Sequence, residues 1–218
     1  MSINTEKYQQ LIAELAGKAT LVAVSKTKTV EDIKALYDLG QRDFGENYVQ
    51  ELVDKYQSLP KDICWHFIGH LQSNKVKYIA PFVQLIHGVD SEKLLAEINK
   101  QGDKIKRIIP CLLQVHIAEE ETKFGFDEAE LKALLTRIKD TEYTNVSIQG
   151  LMGMASFSND ENLVRSEFKK LFLLYKTLNA EHSTSNLLSM GMSGDYKIAM
   201  KEGSNMVRIG SLLFGERN

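Results

Sequence analysis

IIPCLLQVH, residues 108–116, is a nearly continuous apolar run that contains one proline and one glutamine. A strand of this composition is buried on both faces, which is typical of a parallel sheet covered by helices. After a polar loop the chain continues with a helix-period stretch at Glu128–Lys139. The segment therefore predicts one βα unit, in which a buried strand is followed by a helix.

The same alternation of apolar run, polar loop and helix-period stretch occurs eight times along the chain. The predicted strands are Thr20–Ser25, Asp43–Phe44, Trp65–Ile68, Val83–His87, Ile108–His116, Ile148–Leu151, Leu187–Ser189 and Met206–Ile209. The predicted helices are Val30–Leu39, Tyr48–Gln57, Asn74–Ile79, Ser91–Lys100, Glu128–Lys139, Glu161–Leu178, Tyr196–Glu202 and a short closing turn or helix after Ser211. An extra helix near Glu6–Ala16, within about residues 3–16, precedes the first strand.

These units predict an α/β fold, a single (β/α)₈ TIM barrel that spans residues 1–218 as one domain. Eight units in 218 residues lie at the lower end of the size range of this fold. The competing fold is an open doubly wound sheet. Its first βα turn is rich in glycine, whereas SKTKT at residues 25–29 contains none.

Composition limits the classes of function. The chain has 27 basic and 29 acidic residues, so no electrostatic footprint for nucleic acid or an anionic membrane is expected. No apolar run approaches 20 residues, and the polar start MSINTEKYQQLIAEL is unlike a signal peptide, so we expect a cytoplasmic protein. Cys64 and Cys111 are expected to be free thiols, and the scattered histidines predict no metal site.

Lys26 stands where the first strand, LVAVS, is expected to emerge at the mouth of the barrel. Active sites of this fold lie at the carboxyl ends of the strands. Partial desolvation there lowers the pKa of a lysine and makes it a nucleophile toward aldehydes. The simpler alternative is a strand-end lysine that extends its ammonium group to water.

The loops after strands seven and eight, SMGMSGD and RIGS, combine glycine and serine at predicted helix starts. Glycine lets the backbone approach a ligand, and the amino ends of helices favour anions. Phosphate sites in this fold commonly follow strands seven and eight, so Ser193, Gly210 and Ser211 are predicted to bind a phosphate. Alternatively, Ser193 is only a helix N-cap and Gly210 only a tight turn.

Arg208 lies two residues before Gly210, and residues at this spacing share one face of a strand. Its side chain is therefore predicted to reach the mouth of the barrel together with the ligand. The alternative is an ion pair inside the barrel with an acid such as Glu46.

Several other residues have weaker indications of function. His70 is interpreted either as a ligand contact or as a structural loop residue, and Asn47 either as a ligand contact or as a helix N-cap. Trp65 and His66 are interpreted as packing residues. Four methionines that follow strands six and seven are most simply core residues: Met152, Met154, Met190 and Met192.

Six motifs in this order resemble a known family, and together they cover about residues 20–215. They are AVSKT at 23–27, FGENYVQE at 44–51, WHFIGHLQSNK at 65–75, GLMGM at 150–154, SMGMSGDY at 189–196 and VRIGSLLFG at 207–215. The chain resembles the pyridoxal phosphate homeostasis proteins of the YggS/PROSC family. The resemblance implies a monomeric barrel similar to the barrel domain of alanine racemase.

The resemblance also implies a cofactor and the residues that bind it. Pyridoxal 5′-phosphate (PLP) would form a Schiff base with Lys26, and Arg208 would face its pyridine nitrogen. The phosphate would be held by Ser193, Gly210 and Ser211, where many family members have threonine instead of Ser211. Asn47, His70 and Met152 match positions of the family's pocket. The implied function is intracellular PLP homeostasis without substrate turnover, with PLP-dependent apoenzymes as possible recipients.

Two enzymatic functions compete with this interpretation. One is a PLP-dependent amino-acid racemase or decarboxylase. Racemases of the alanine racemase type use a second, β-rich domain for one acid/base group, and the chain's end at residue 218 predicts that this domain is absent. Tyr196 is the nearby candidate for such a group, although a packing role is simpler. The other competitor is a Schiff-base aldolase, which would purify without a chromophore.

Overall fold

The computed structural model describes residues 3–119, 124–139, 143–182 and 186–215. Eight parallel strands form a closed barrel in chain order, and the first strand pairs with the eighth. The strands are β1 Thr20–Val24, β2 Asp43–Glu46, β3 Cys64–Phe67, β4 Leu85–Val89, β5 Ile109–Val115, β6 Val146–Gly153, β7 Leu187–Met192 and β8 Met206–Ile209. The predicted (β/α)₈ barrel is confirmed, and the open-sheet alternative is wrong.

Helices alternate with the strands around the outside of the barrel. They are α1 Thr5–Leu15, α2 Val30–Asp38, α3 Val49–Ser58, α4 Val76–Ile79, α5 Glu92–Ile105, α6 Glu128–Lys139, α7 Glu161–His182, α8 Tyr196–Lys201 and α9 Ser211–Phe214, with a 3₁₀ turn at Ser73–Lys75 before α4. The side chain of Asn4 caps α1 by accepting a hydrogen bond from the Lys7 N–H at 2.9 Å. No helix in the described ranges combines the length and apolarity needed to cross a membrane.

Strand β4 lies two residues further along the chain than the sequence predicts. The Val83 N–H donates to the Ile79 carbonyl at 2.9 Å, so Val83 closes the preceding helical turn and is not part of the strand. His87 consequently occupies the middle of β4 and not its end. Strands β2, β6 and β7 extend beyond their predicted ends, and the additional residues include Gly45, Gly153 and Gly191. Glycine weakens the hydrophobic pattern of a strand, so the sequence predicted these strands too short.

The barrel interior changes character from one level to the next. One level is apolar and is formed by a cluster of five residues: Val22, Leu85, Leu112, Met152 and Met206. His87 and Arg208 follow two of these residues by two positions, so they share their strand face and lie one level nearer the carboxyl ends. A separate, larger apolar core lies mostly between the barrel and its helices.

Closure of the barrel brings the first strand, β1, next to the last strand, β8. In the β1–β8 register, Val22 is opposite Arg208 and Ala23 is opposite Ile209. Lys26 and Gly210 therefore follow adjacent strand ends although 184 positions separate them in sequence.

Candidate functional site

A cavity of about 550 Å³ opens at the carboxyl ends of the strands, where active sites of this fold occur. Its volume is within the usual range for small-molecule sites. Six of the eight residues predicted to bind the cofactor line it: Lys26, Asn47, Ser193, Arg208, Gly210 and Ser211. Lys28, Ser156, Phe157 and Asn159 also line it and had no signal in the sequence.

Lys26 lies in a tight turn that is anchored on both sides. The Lys28 N–H donates to the Ser25 carbonyl at 3.0 Å, and Thr27 has a positive φ of 65°, which is uncommon for a residue other than glycine. The Thr27 N–H donates to the Glu51 carboxylate at 2.5 Å. The backbone that carries the half-buried Lys26 side chain is therefore held in one conformation.

Lys55 of α3 provides the second anchor. Its buried ammonium group donates to the Ser25 carbonyl at 2.8 Å, to Glu46 at 2.8 Å and to Glu51 at 2.6 Å. The Ser25 hydroxyl also donates to Glu46, at 2.6 Å. Burial raises the pKa of Glu46, and the nearby charge of Lys55 partly offsets this effect. Lys55 was missed in the sequence because it follows Lys26 by 29 positions on a different element.

Asn47 lines the cavity at the carboxyl end of β2. Its Oδ1 is buried and has no hydrogen-bond partner among the described residues. The N-cap of α3 is Tyr48, and no side chain caps this helix, so the N-cap interpretation of Asn47 is wrong. A methyl group at Gly69 would lie 2.4 Å from the Asn47 carbonyl oxygen, so glycine is required there for the backbones to approach.

The loops after β7 and β8 meet through Ser193. Its hydroxyl oxygen accepts a hydrogen bond from the Gly210 N–H at 3.2 Å. Asp195 is the N-cap of α8, so Ser193 is not the cap. A methyl group at Gly194 would meet nothing within 4 Å, which leaves the backbone there accessible from the cavity. The Ser193 hydroxyl and the backbone of the loops after β7 and β8 thus line the same cavity, a combination that suits an anionic group.

Arg208 reaches the cavity from β8 and is 4% exposed. It donates to the Ser189 hydroxyl at 2.6 Å, the Ser189 carbonyl at 2.9 Å and the Gly153 carbonyl at 3.1 Å. A guanidinium has five N–H donors, so two remain for a ligand. Burial lowers the pKa of Arg208 to about 10. This value is still well above neutral pH, so the guanidinium remains charged there. The alternative ion pair with Glu46 is wrong, because Glu46 pairs with Lys55.

A chain of polar side chains continues from Arg208 through the barrel. The Ser189 hydroxyl is 3.0 Å from His87 Nδ1, His87 Nε2 is 2.9 Å from His66 Nδ1, and His66 Nε2 is 2.9 Å from Asp43. The interpretation of His66 as a packing residue is therefore wrong. The available signal was a polar residue within each of three otherwise apolar strands.

His70 and Met152 lie outside the cavity. His70 is exposed, bonds Asp90 at 2.9 Å and stacks on Phe124, with 4.4 Å between the ring centroids. Met152 is 1% exposed within the apolar interior level. Met190 is also buried, whereas Met154 and Met192 line the cavity.

Comparison with known proteins identifies the family. The family model of the alanine racemase N-terminal domain matches residues 3–218. A pyridoxal phosphate homeostasis protein of Aquifex aeolicus is 42% identical over 95% of this chain and 93% of its own. One of Schizosaccharomyces pombe is 40% identical over 90% and 84%. The structure of PipY of Synechococcus elongatus, with PLP bound, has a TM-score of 0.87 and 33% identity over 96% and 99%.

The family model spans all the strand ends that form the cavity, and the three relatives match over 84% or more of both chains. The chain therefore belongs to the family of pyridoxal phosphate homeostasis proteins, whose barrel is of the alanine racemase N-terminal domain type.

Proposed function

We propose that this protein binds PLP as a Schiff base on Lys26 and serves PLP homeostasis without turning over a substrate. The observation that carries the proposal is the convergence of an anchored lysine, a hydroxyl and backbone cradle and a buried guanidinium on one cavity. The names of the relatives and the PLP held by PipY support it.

Each polar group of the cavity fits one part of the cofactor. The Lys26 amine attacks the aldehyde carbon, and the carbonyl oxygen leaves as water when the C=N bond forms. Ser193 holds the phosphate together with the backbone at Gly210 and Ser211, where α9 begins. The first N–H groups of this helix have no partner within it and are available to the phosphate. The buried Oδ1 of Asn47 accepts a hydrogen bond from a polar group of the ligand.

Arg208 faces the pyridine nitrogen in this proposal. Guanidinium groups only donate hydrogen bonds, so this nitrogen stays unprotonated. An unprotonated ring withdraws electrons less effectively, which disfavours reactions that develop a carbanion on a bound amino acid.

The environment of Tyr196 also favours storage over turnover. The Tyr196 hydroxyl donates to Glu14 at 3.0 Å, its ring is buried, and it does not line the cavity. Burial and this hydrogen bond raise the pKa of Tyr196 to about 12, far above the range of a general base at neutral pH. The candidate acid/base group of a racemase is therefore directed away from the ligand.

The test of the Schiff base is an absorption spectrum of the PLP-loaded protein. We expect visible absorbance, and borohydride should fix the cofactor on the peptide that contains Lys26. Lys26→Ala should lose this absorbance, whereas the matched variant Lys28→Ala should keep it. A Lys26→Ala protein with the full spectrum would show that another lysine carries the cofactor.

The test of turnover is the exchange of the α-proton of amino acids in deuterated buffer at high protein concentration. We expect exchange far slower than a kcat of about 1 s⁻¹, the lower end of ordinary enzymes. Faster exchange that Lys26→Ala abolishes would establish an enzyme and refute storage.

A monomeric state, a cytoplasmic location and transfer of PLP to apoenzymes stay predictions. Sedimentation of the loaded protein and reactivation of a PLP-free enzyme by it, measured against an equal amount of free PLP, test the first and the third.

A further inference from the structure

A continuous chain of hydrogen bonds crosses the interior of the barrel from Asp43 to Arg208. It uses residues of five strands, with His66 on β3, His87 on β4 and Ser189 on β7 between the two ends. The two histidines and Ser189 are at most 2% exposed, whereas the Asp43 side chain is 32% exposed. This hydrogen-bond chain therefore connects solvent at the amino end of β2 with the cavity at the carboxyl end of β8.

The direction of the hydrogen bonds follows from Arg208, which can only donate. Arg208 donates to the Ser189 oxygen, so the Ser189 hydroxyl proton is available for His87 Nδ1. His87 then carries its proton on Nε2 and donates to His66 Nδ1. His66 in turn donates from Nε2 to the Asp43 carboxylate. In this arrangement each hydrogen bond from Arg208 to Asp43 has one donor and one acceptor.

The opposite direction is less favourable. If His87 donated to Ser189, the Ser189 oxygen would accept from both His87 and Arg208. Its hydroxyl proton would then need another acceptor, and the described contacts of Ser189 include none. Burial is the main cause that holds the pKa of His87 well below its ordinary value, and the nearby His66 and Arg208 lower it further. The His87 ring is therefore neutral.

We propose that Asp43, His66, His87 and Ser189 are positioning residues that lock the Arg208 guanidinium in the cavity and thereby tune its contact with the bound cofactor. This proposal rests on the proposed function, because the cofactor is the group that Arg208 would contact. The chain acts by fixing the position and hydrogen-bond direction of Arg208. A buried network whose members are all satisfied is suited to this role, because it specifies one arrangement.

The first test needs no cofactor. Nitrogen-15 NMR of histidine side chains in the ligand-free protein should show that His66 and His87 each carry a proton on Nε2 and none on Nδ1. Asp43→Ala removes the acceptor at the half-exposed end, and it should mix the tautomers of both rings. A wild-type ring with its proton on Nδ1, or a His87 ring that does not respond to Asp43→Ala, would refute the directed chain.

The second test measures the loaded protein. Ser189→Ala removes the link between His87 and Arg208 and should weaken PLP binding roughly ten-fold, as expected for a lost hydrogen bond to a charged group. The absorption maximum of the bound cofactor should shift in the same direction as in Arg208→Lys. Asp43→Ala should show the same shift with a smaller loss of affinity, and it keeps the test independent of the folding of Ser189→Ala.

Ser204→Ala is the matched control. Ser204 is also buried and donates to the Met190 carbonyl at 2.7 Å, but it belongs neither to the hydrogen-bond chain nor to the cavity. It should leave the spectrum unchanged. If Ser189→Ala and Asp43→Ala behave like Ser204→Ala while Arg208→Lys differs, the chain does not position Arg208 and the proposed function stands. Absence of visible absorbance in the wild type would refute the proposed function, and the tautomers would still decide the direction of the chain.

Discussion

Ser193 illustrates how one side chain defines a site. Its hydroxyl oxygen accepts the Gly210 N–H, which links the loops after β7 and β8 across the edge of the cavity. The hydroxyl proton is then directed away from Gly210 and is available to an anion. We therefore expect Ser193 to contact the phosphate and not the ring of the proposed cofactor.

Ser193→Ala should weaken PLP binding roughly ten-fold or more, since a hydrogen bond to a charged group contributes about 1.5–3 kcal/mol. Pyridoxal, which lacks the phosphate, should bind weakly to both proteins and lose little further affinity in the variant. Titrations followed by absorbance measure both affinities. An equal loss for the two ligands would place Ser193 elsewhere in the site.

At the scale of elements, α3 is connected to the carboxyl ends of β1 and β2 by one buried lysine. Lys55 bonds the Ser25 carbonyl next to Lys26 and the Glu46 carboxylate at the end of β2. The Lys55 side chain is 7% exposed and that of Glu46 is fully buried. Removing one partner of such a pair leaves an uncompensated charge in the interior, which is strongly destabilising.

Lys55→Met should lower the free energy of unfolding by about 3–5 kcal/mol at neutral pH. The exposed pair of Lys34 and Asp38 provides the matched control Lys34→Met, which should change stability by about 0.5 kcal/mol or less. Urea unfolding measures both variants. A Lys55→Met protein as stable as Lys34→Met would show that Glu46 is not ionised in the wild type.

The deficit of Lys55→Met should also grow with pH. The pKa of Glu46 is raised above its ordinary value of 4.5, so between that pH and the raised pKa the folded state holds a proton that the unfolded state lacks. Stability contributed by this group is therefore lost as pH rises through this window. Without Lys55 the pKa rises further and the window widens, so unfolding at about pH 7.5 should show a larger deficit than at about pH 5.

At the scale of the molecule, the barrel is built in levels with different tasks. The apolar level of Val22, Leu85, Leu112, Met152 and Met206 closes the interior. The cavity lies nearer the carboxyl ends of the strands, and the hydrogen-bond chain reaches it from Asp43 at the amino end of β2. Met152 belongs to the first level although its motif, GLMGM, lies beside the site.

Met152→Leu should therefore act on stability and not on binding. A volume-conserving substitution in a core costs less than about 1.5 kcal/mol, and PLP affinity should stay within about two-fold of the wild type. Thermal unfolding and absorbance titration measure the two effects. A large loss of affinity without a loss of stability would make Met152 a cofactor contact.

The sequence by itself determined the eight βα units, because an apolar run or a helix-period stretch records the burial of neighbouring residues in a local pattern. It also determined that Lys26 follows a buried strand and that serine and glycine follow β7 and β8. In this fold such positions are at the mouth of the barrel, so half of the polar residues that line the cavity were predictable.

Only the tertiary structure decided which of these residues meet. A shift of one residue in a strand reverses the faces of all its side chains, so the face of Met152 could not be placed from its motif. His70 lies in the loop after β3, and its contacts with Asp90 and Phe124 depend on how that loop packs. The register between β1 and β8 brings Lys26 beside Gly210, and the positions of His66, His87 and Ser189 on separate strands create the chain to Arg208. These contacts join residues far apart in sequence, and no local pattern records them because they depend on how the barrel closes.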